Sequence, residues 1–251
     1  MTSLPRIDHV AGPREAADLV LFAHGGQQES LVEPNGSRPA LLRMWPLARA
    51  AHEAAPDATV GLVRYRYRGW NGEAAHAAAD VRMLLDALPD EVTRVVLVGH
   101  SMGARAIMRC AGHRKVRSLL ALAPWLPSHE PTVDLGSRIL VVAHGNHDRV
   151  TDPSATADYV RRLREMGNAA AFFTVRDETH AMLRRPGDWN ELTGRLVRTA
   201  TTGRPDPALQ AATSQDPDHG ADELPRWTKP PGHARALASI PLARLRLCLT
   251  R

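Results

Sequence analysis

The stretch Gly99-His100-Ser101-Met102-Gly103 constrains this chain more than any other. It follows the β-branched apolar run Arg94-Val95-Val96-Leu97-Val98 and precedes the helix-compatible run Ala104 to Cys110. A serine between two glycines, at a turn from strand to helix, is forced into a strained backbone conformation. The glycines let neighbouring backbone pass close by, and the hydroxyl stands above the end of the sheet at a helix N-terminus, where negative charge is favoured. Gly-x-Ser-x-Gly is a weak pattern by itself. Its strand–turn–helix setting makes it specific.

A serine hydroxyl needs a base within hydrogen-bond reach and a third group to orient that base. Two later segments offer them. Arg138 to Ala143 reads as a buried strand that runs into His144-Gly145-Asn146-His147-Asp148, and Ala170 to Val175 reads as a strand followed by Arg176-Asp177-Glu178-Thr179-His180. Ser101, Asp148 and His180 therefore fall at the carboxyl ends of three strands, the edge at which open parallel sheets build sites. Upstream, the strand Asp18 to Ala23 ends in His24-Gly25-Gly26-Gln27-Gln28. That glycine loop can aim backbone N–H groups at a developing oxyanion, with the amide of Met102 as a second donor.

These four segments, the His-Gly loop, the serine elbow, the acid loop and the histidine loop, resemble the α/β-hydrolase family in order and kind. The resemblance spans residues 19 to about 183. It implies Ser101 as nucleophile, Asp148 as acid and His180 as base. It places one oxyanion donor just after the His-Gly pair, at Gly26 or Gln27, beside Met102. The family fixes fold and mechanism but leaves substrate open, because the fold hosts many chemistries. An ester or thioester hydrolase is the expectation. An acyltransferase, a lactone or C–C bond hydrolase with the same triad, or a non-catalytic small-ligand binder are the alternatives. The resemblance implies no cofactor and no metal.

The coarse pattern agrees. Strands are expected at 18–23, 59–65, 94–98, 116–123, 138–143 and 169–175, with helices at 40–55, 73–88, 104–110, 153–166 and 188–200. This alternation implies a three-layer α/β/α sandwich around a mostly parallel sheet of about six strands. Residues 1–17 read as an irregular lead-in with at most one short strand. Pro34-Asn35-Gly36 reads as a turn. Only Pro124 to Ser137 separates the strand after the elbow helix from the acid strand. That is too short for a helical cap, so the site is expected to be open, as in dienelactone-hydrolase-like proteins or small carboxylesterases and thioesterases. Such a site admits bulky or carrier-bound acyl groups.

Trp125 in that short loop is read either as the wall of an acyl pocket or as a packing tryptophan. Arg68 and Trp70 are read either as a clamp for an anionic or aromatic part of the substrate or as arginine covering an aromatic face. Asp152 is a fallback acid that fits better as a helix N-cap. His24 and His100 are read as loop braces, and His144 and His147 as structural. Asp177 and Glu178 are read as loop residues.

The net charge is +5, and of 32 basic residues only Lys115 and Lys229 are lysines. The surplus is spread along the chain with no aromatic-interleaved basic stripe, so no nucleic-acid partner is expected. The N-terminus has no basic start and apolar stretch of a secretory signal, and no window is long enough for a membrane span, so a cytoplasmic location is expected. Cys110 and Cys248 are too few and too distant for a disulfide framework. Oligomeric state is not legible. Residues 1–202 form the expected hydrolase domain. From Gly203 prolines punctuate the chain and large apolar residues thin out, so 203–251 is expected to be a flexible tail, with a short strand or docking segment within Ala234 to Leu249.

Overall fold

The computed structural model describes residues 3–34 and 39–228. The expected turn at Asn35-Gly36, the segment Ala234 to Leu249 and Cys248 lie outside the described residues. Six parallel strands form the centre of the sheet: β2 (Asp18–Ala23), β3 (Thr59–Arg64), β4 (Arg94–His100), β5 (Val116–Leu122), β6 (Ile139–Gly145) and β7 (Ala170–Val175). Each is predominantly apolar, with β5 built mainly on leucine and the others on β-branched or aromatic residues, and each is covered on both faces. Alternate residues serve opposite layers. Val20 and Phe22 of β2 enter one core, and Leu19, Leu21 and Ala23 enter the other. Period-two side-chain alternation and cover on both faces explain why these runs are continuously apolar.

Two further strands bring the sheet to eight, in the order β1-β3-β2-β4-β5-β6-β7-β8. β1 (Arg6–Ala11) pairs antiparallel with β3, where an irregular lead-in with at most one short strand was expected. Its N-terminal half is only partly buried and its last two residues, Val10 and Ala11, enter a core, while Asp8 is ion-paired to Arg64 on β3 at 2.5 Å. β8 (Asp222–Glu223) closes the other edge beside β7.

Helices α2 (Met44–Ala54) and α6 (Pro186–Thr202) supply Met44, Leu47, Trp189, Leu192 and Leu196 to one core. Helices α3 (His76–Asp86), α4 (Met102–Arg109) and α5 (Pro153–Glu165) supply Val81, Leu85, Ile107, Tyr159 and Leu163 to the other. The helix expected at 40–55 is split. A short α1 (Pro39–Leu42) precedes α2, with Arg43 in the turn between them. Pro46 explains the break, because it has no N–H to offer the carbonyl four residues earlier, at Leu42. After Gly203, where a linker was expected, α7 (Pro207–Thr213) is capped by Asp206, and Leu209, Ala212 and Leu224 are buried in the core.

The strand order reverses across β2. The chain leaves β2 toward β3, then returns to place β4 on the other side of β2. Loops that diverge at such a switch point leave a crevice beyond the strand ends. The glycine loop after β2 and the serine elbow after β4 meet there. The segment between β5 and β6 contains no helix, so no large cap is built from it.

Candidate active site

Ser101 sits at the N-terminus of α4 with φ 57° and ψ −121°. A non-glycine residue holds a positive φ at a cost, and such strain collects at functional sites. The surrounding glycines are required by contact. A Cβ on Gly103 would lie 2.1 Å from the carbonyl oxygen of Ala23, and one on Gly99 would lie 2.6 Å from the backbone of Ala104. The elbow is thus wedged against β2 and its own helix. Among the described residues Ser101 Oγ has no hydrogen-bond partner, and that includes His180.

His180 and Asp148 are brought together. His180 Nδ1 lies 2.8 Å from Asp148 Oδ2. The acid loop is over-determined around that carboxylate. Oδ1 accepts from the backbone amides of Val150 (2.8 Å) and Thr151 (3.0 Å), and Oδ2 accepts from the Thr151 hydroxyl at 2.8 Å. His144 Nε2 lies 3.1 Å from the same Oδ2, and its Nδ1 is 2.9 Å from Thr156 Oγ1. Since Nε2 faces a carboxylate it donates, which leaves Nδ1 to accept from the Thr156 hydroxyl. Burial pushes the Asp148 carboxyl up, but the bonds from His144, His180, Thr151 and Val150 outweigh it and hold the group well below the usual carboxylate range. Asp148 is therefore a carboxylate at neutral pH.

The histidine loop is stitched to the acid loop through backbone. The His147 amide donates to the Glu178 carbonyl at 2.9 Å, and the Asp177 amide donates to Asn146 Oδ1 at 2.8 Å. Glu178, expected as a plain loop residue, is fully buried. Its carboxylate accepts from the amides of Thr179, Arg184 and Arg185 and from Trp189 Nε1. His100 braces the same loop from the elbow side, with Nε2 3.1 Å from the His180 carbonyl. A carbonyl only accepts, so Nε2 carries the hydrogen. Burial, then the neighbouring His180 and Arg43, holds the His100 imidazole well below its ordinary value, so it is neutral.

In the glycine loop, the Gln27 amide donates to the Arg68 carbonyl at 2.8 Å, whereas the amides of Gly26 and Met102 have no partner among the described residues. Gly26 packs directly against the Met102 side chain: a Cβ there would lie 2.4 Å from Met102 Cε and 2.3 Å from the Arg68 carbonyl. Gly25 lies against Ser101, with a Cβ placed 3.3 Å from that of the serine. Gln27 is thus occupied, and the two free amides flank the elbow.

Of the expected substrate-binding residues, Trp70 and Trp125 meet edge to face, with ring centroids 6.2 Å apart. Both touch the Arg105 guanidinium, which lies 3.8 Å from the Trp70 centroid and 4.8 Å from that of Trp125 and is paired to the buried Glu130 at 2.7 Å. The two rings line a cavity of about 470 Å³ together with Gln28, Arg105 and Pro127. Arg68 is not brought there. Its guanidinium donates to the Glu33 carbonyl at 3.0 Å. Asp152 caps α5, accepting from the Ser154 amide at 2.8 Å. A second cavity, of about 750 Å³, lies on the other side, lined by His180, Asp148, His147, Arg43, Arg149 and Arg184 among others. Among the described residues no group of three or more His, Cys, Asp or Glu is placed to hold a metal ion, and no helix is long and apolar enough to cross a membrane.

The comparisons with known proteins accord with this architecture. A search of curated protein sequences finds no significant match. Several solved structures share the fold. An esterase from Pyrococcus furiosus superimposes with a TM-score of 0.57 at 15% identity, over 78% of this chain and 92% of that one. A carboxylesterase from Bacillus cereus gives 0.55 at 15% identity, over 78% and 93%. An alpha-beta serine hydrolase homologue from Coxiella burnetii gives 0.52 at 15% identity, over 79% and 99%. At such identities the likeness is one of fold. The sequence model of the alpha/beta hydrolase family, however, matches residues 20–247, most of the chain. The chain belongs to the alpha/beta hydrolase family.

Proposed function

We propose that this protein is a serine hydrolase that cleaves an ester or thioester bond through an acyl-enzyme on Ser101. The observation that carries the reading is the His180 Nδ1 to Asp148 Oδ2 bond of 2.8 Å, in a loop held at 3.1 Å by His100, the residue that precedes a serine at φ 57°.

Asp148 fixes the tautomer of His180 with Nε2 free to accept, and it stabilises the imidazolium once formed. His180 Nε2 takes the Ser101 proton as Oγ attacks the carbonyl carbon. This step requires the two side chains to close into hydrogen-bond reach in the substrate complex, a tightening common to sites seen without substrate. The amides of Gly26 and Met102 donate to the developing oxyanion; Gln27 takes no part, since its amide is spent on Arg68. His180 then gives the proton to the leaving alcohol or thiol. Water, activated by the same imidazole, hydrolyses the ester to Ser101 and restores the serine. Trp70 and Trp125 wall the cavity that takes the apolar part of the substrate.

The test is labelling with a fluorophosphonate probe alongside turnover of 4-nitrophenyl acetate and butyrate. Wild type is expected to label and turn over, and Ser101→Ala and His180→Ala to do neither. Folded wild-type protein that does not label would overturn the triad.

A further inference from the structure

Among the described residues the cavity beside His180 is lined by three arginines, Arg43, Arg149 and Arg184, and by one acidic residue, Asp148. That carboxylate is already saturated by Val150, Thr151, His144 and His180. Arg43 is half-buried, and its Nε is enclosed without a hydrogen-bond partner. The nearest opposing charge, Glu178, has its oxygens turned to the amides of Thr179, Arg184 and Arg185 and to Trp189. Arg149 is exposed and has no carboxylate partner among the described residues. Arg184 donates to the Asp177 carbonyl at 3.0 Å.

Buried Arg185 also has an enclosed nitrogen without a partner, Nη1, but its Nε donates to the Asp188 carboxylate at 2.7 Å, and other buried arginines are likewise answered by an acceptor. Arg105 faces Glu130, and Arg164 donates to the carbonyls of Ala170 and His219. An enclosed guanidinium nitrogen with no acceptor is costly, and a cleft lined by one sign of charge concentrates the opposite sign. The guanidinium fork fits the paired oxygens of a carboxylate or phosphate.

We propose that this cavity is a subsite for an oxyanion group, so that the ester cleaved at Ser101 carries a carboxylate or phosphate away from its reacting carbonyl. The cleavage half of this statement rests on the serine-hydrolase reading; the anion-binding half does not. Arg43 stands between α1 and α2, with helical backbone angles and its amide bonded to the Pro39 carbonyl at 3.0 Å, and lines the cavity beside the histidine loop.

The test is calorimetric titration of the full-length Ser101→Ala protein with matched charged and neutral esters. 4-Nitrophenyl hemisuccinate against 4-nitrophenyl butyrate places the charge on the acyl side. 4-Acetoxybenzoate against its methyl ester places it on the leaving group. 4-Acetoxyphenyl phosphate against phenyl acetate separates phosphate from carboxylate. At least one charged ester is expected to bind about tenfold tighter than its neutral partner, and adding Arg43→Met or Arg149→Gln is expected to reduce that preference by about tenfold, the scale of one charge-assisted hydrogen bond. Arg149 is exposed, so its variant keeps the test valid if Arg43→Met does not fold. Equal binding of charged and neutral esters in all three arms, or a preference that survives both substitutions, overturns the subsite. Fluorophosphonate labelling of wild type separates the two claims. Labelling without a charge preference sinks the subsite alone, and a charge preference without labelling sinks the hydrolase reading alone.

Discussion

The backbone amide of Gln27 donates to the carbonyl of Arg68 at 2.8 Å, whereas the preceding amide, Gly26, has no partner among the described residues. That bond is one of five backbone bonds that tie the loop after β2 to the loop after β3, and Gly26 lies close against Met102. A side chain at position 26 would collide with the Arg68 carbonyl and the Met102 methyl. Gly26→Ala is therefore expected to lower kcat on 4-nitrophenyl butyrate by about 10²-fold or more, the cost of losing one oxyanion donor, with KM changed much less. Steady-state kinetics check this. Unchanged kcat would remove Gly26 from the site.

Thr151 holds Asp148 from two directions, through its amide to Oδ1 at 3.0 Å and its hydroxyl to Oδ2 at 2.8 Å. Thr151→Val keeps the shape and the amide and deletes the hydroxyl. Loss of one hydrogen bond to a buried charged group costs about 1.5–3 kcal/mol. Urea unfolding at pH 7 is expected to show a loss of that order, with kcat/KM lower by about tenfold because Asp148 no longer holds His180 as firmly. A variant as stable as wild type would show that the hydroxyl contributes nothing.

His100 is kept neutral in the fold by burial and by the neighbouring His180 and Arg43. In the unfolded chain it protonates near its ordinary value of about 6.5. Below that pH the unfolded state holds the extra proton, so stability falls as the pH falls, by up to about 1.4 kcal/mol per pH unit for this group. Urea midpoints at pH 7.5 and 5.5 are expected to show wild type weakening in acid and His100→Asn weakening less. An equal loss in both proteins would mean that His100 is not held neutral.

Gly103 and Gly220 make a matched pair for the packing of the elbow. A Cβ at Gly103 would lie 2.1 Å from the Ala23 carbonyl, and one at Gly220 would meet nothing within 4 Å. Gly103→Ala is expected to destabilise the protein by about 1–3 kcal/mol, as overpacking does. Gly220→Ala is expected to stay within about 0.5 kcal/mol of wild type. Thermal melts of both variants check the contrast.

Much of the scaffold was legible because its determinants are local. The six central strands announce themselves as apolar runs, and the elbow as a strand, a Gly-x-Ser-x-Gly turn and a helix. His180 and Asp148 could be placed at strand ends from the chain alone, and Asp152 could be read as a cap from the Pro153 that follows it. Where local signals were weak, the reading stopped short. β1 mixes charged and apolar residues without a clear period and pairs along the edge that β3 offers. α7 lies in a proline-punctuated stretch and is held by the burial of Leu209 and Ala212.

The amino-acid sequence by itself determined which six central strands form, which loops carry Ser101, Asp148 and His180, and which residues must be glycine for the elbow to close. Each of these depends on neighbours a few positions away. Only the tertiary structure decided that Gln27 is tied to Arg68 while Gly26 is free, that His144 and Thr151 share Asp148 with His180, and that Glu178 is a buried anchor. The same holds for Arg105, which stacks on Trp70 and Trp125, and for Arg43, which reaches the cavity of His180 without a carboxylate of its own. These relationships join segments that lie far apart in the chain or in different loops. They are fixed by how the loops pack beyond the end of one sheet, and no local pattern encodes that.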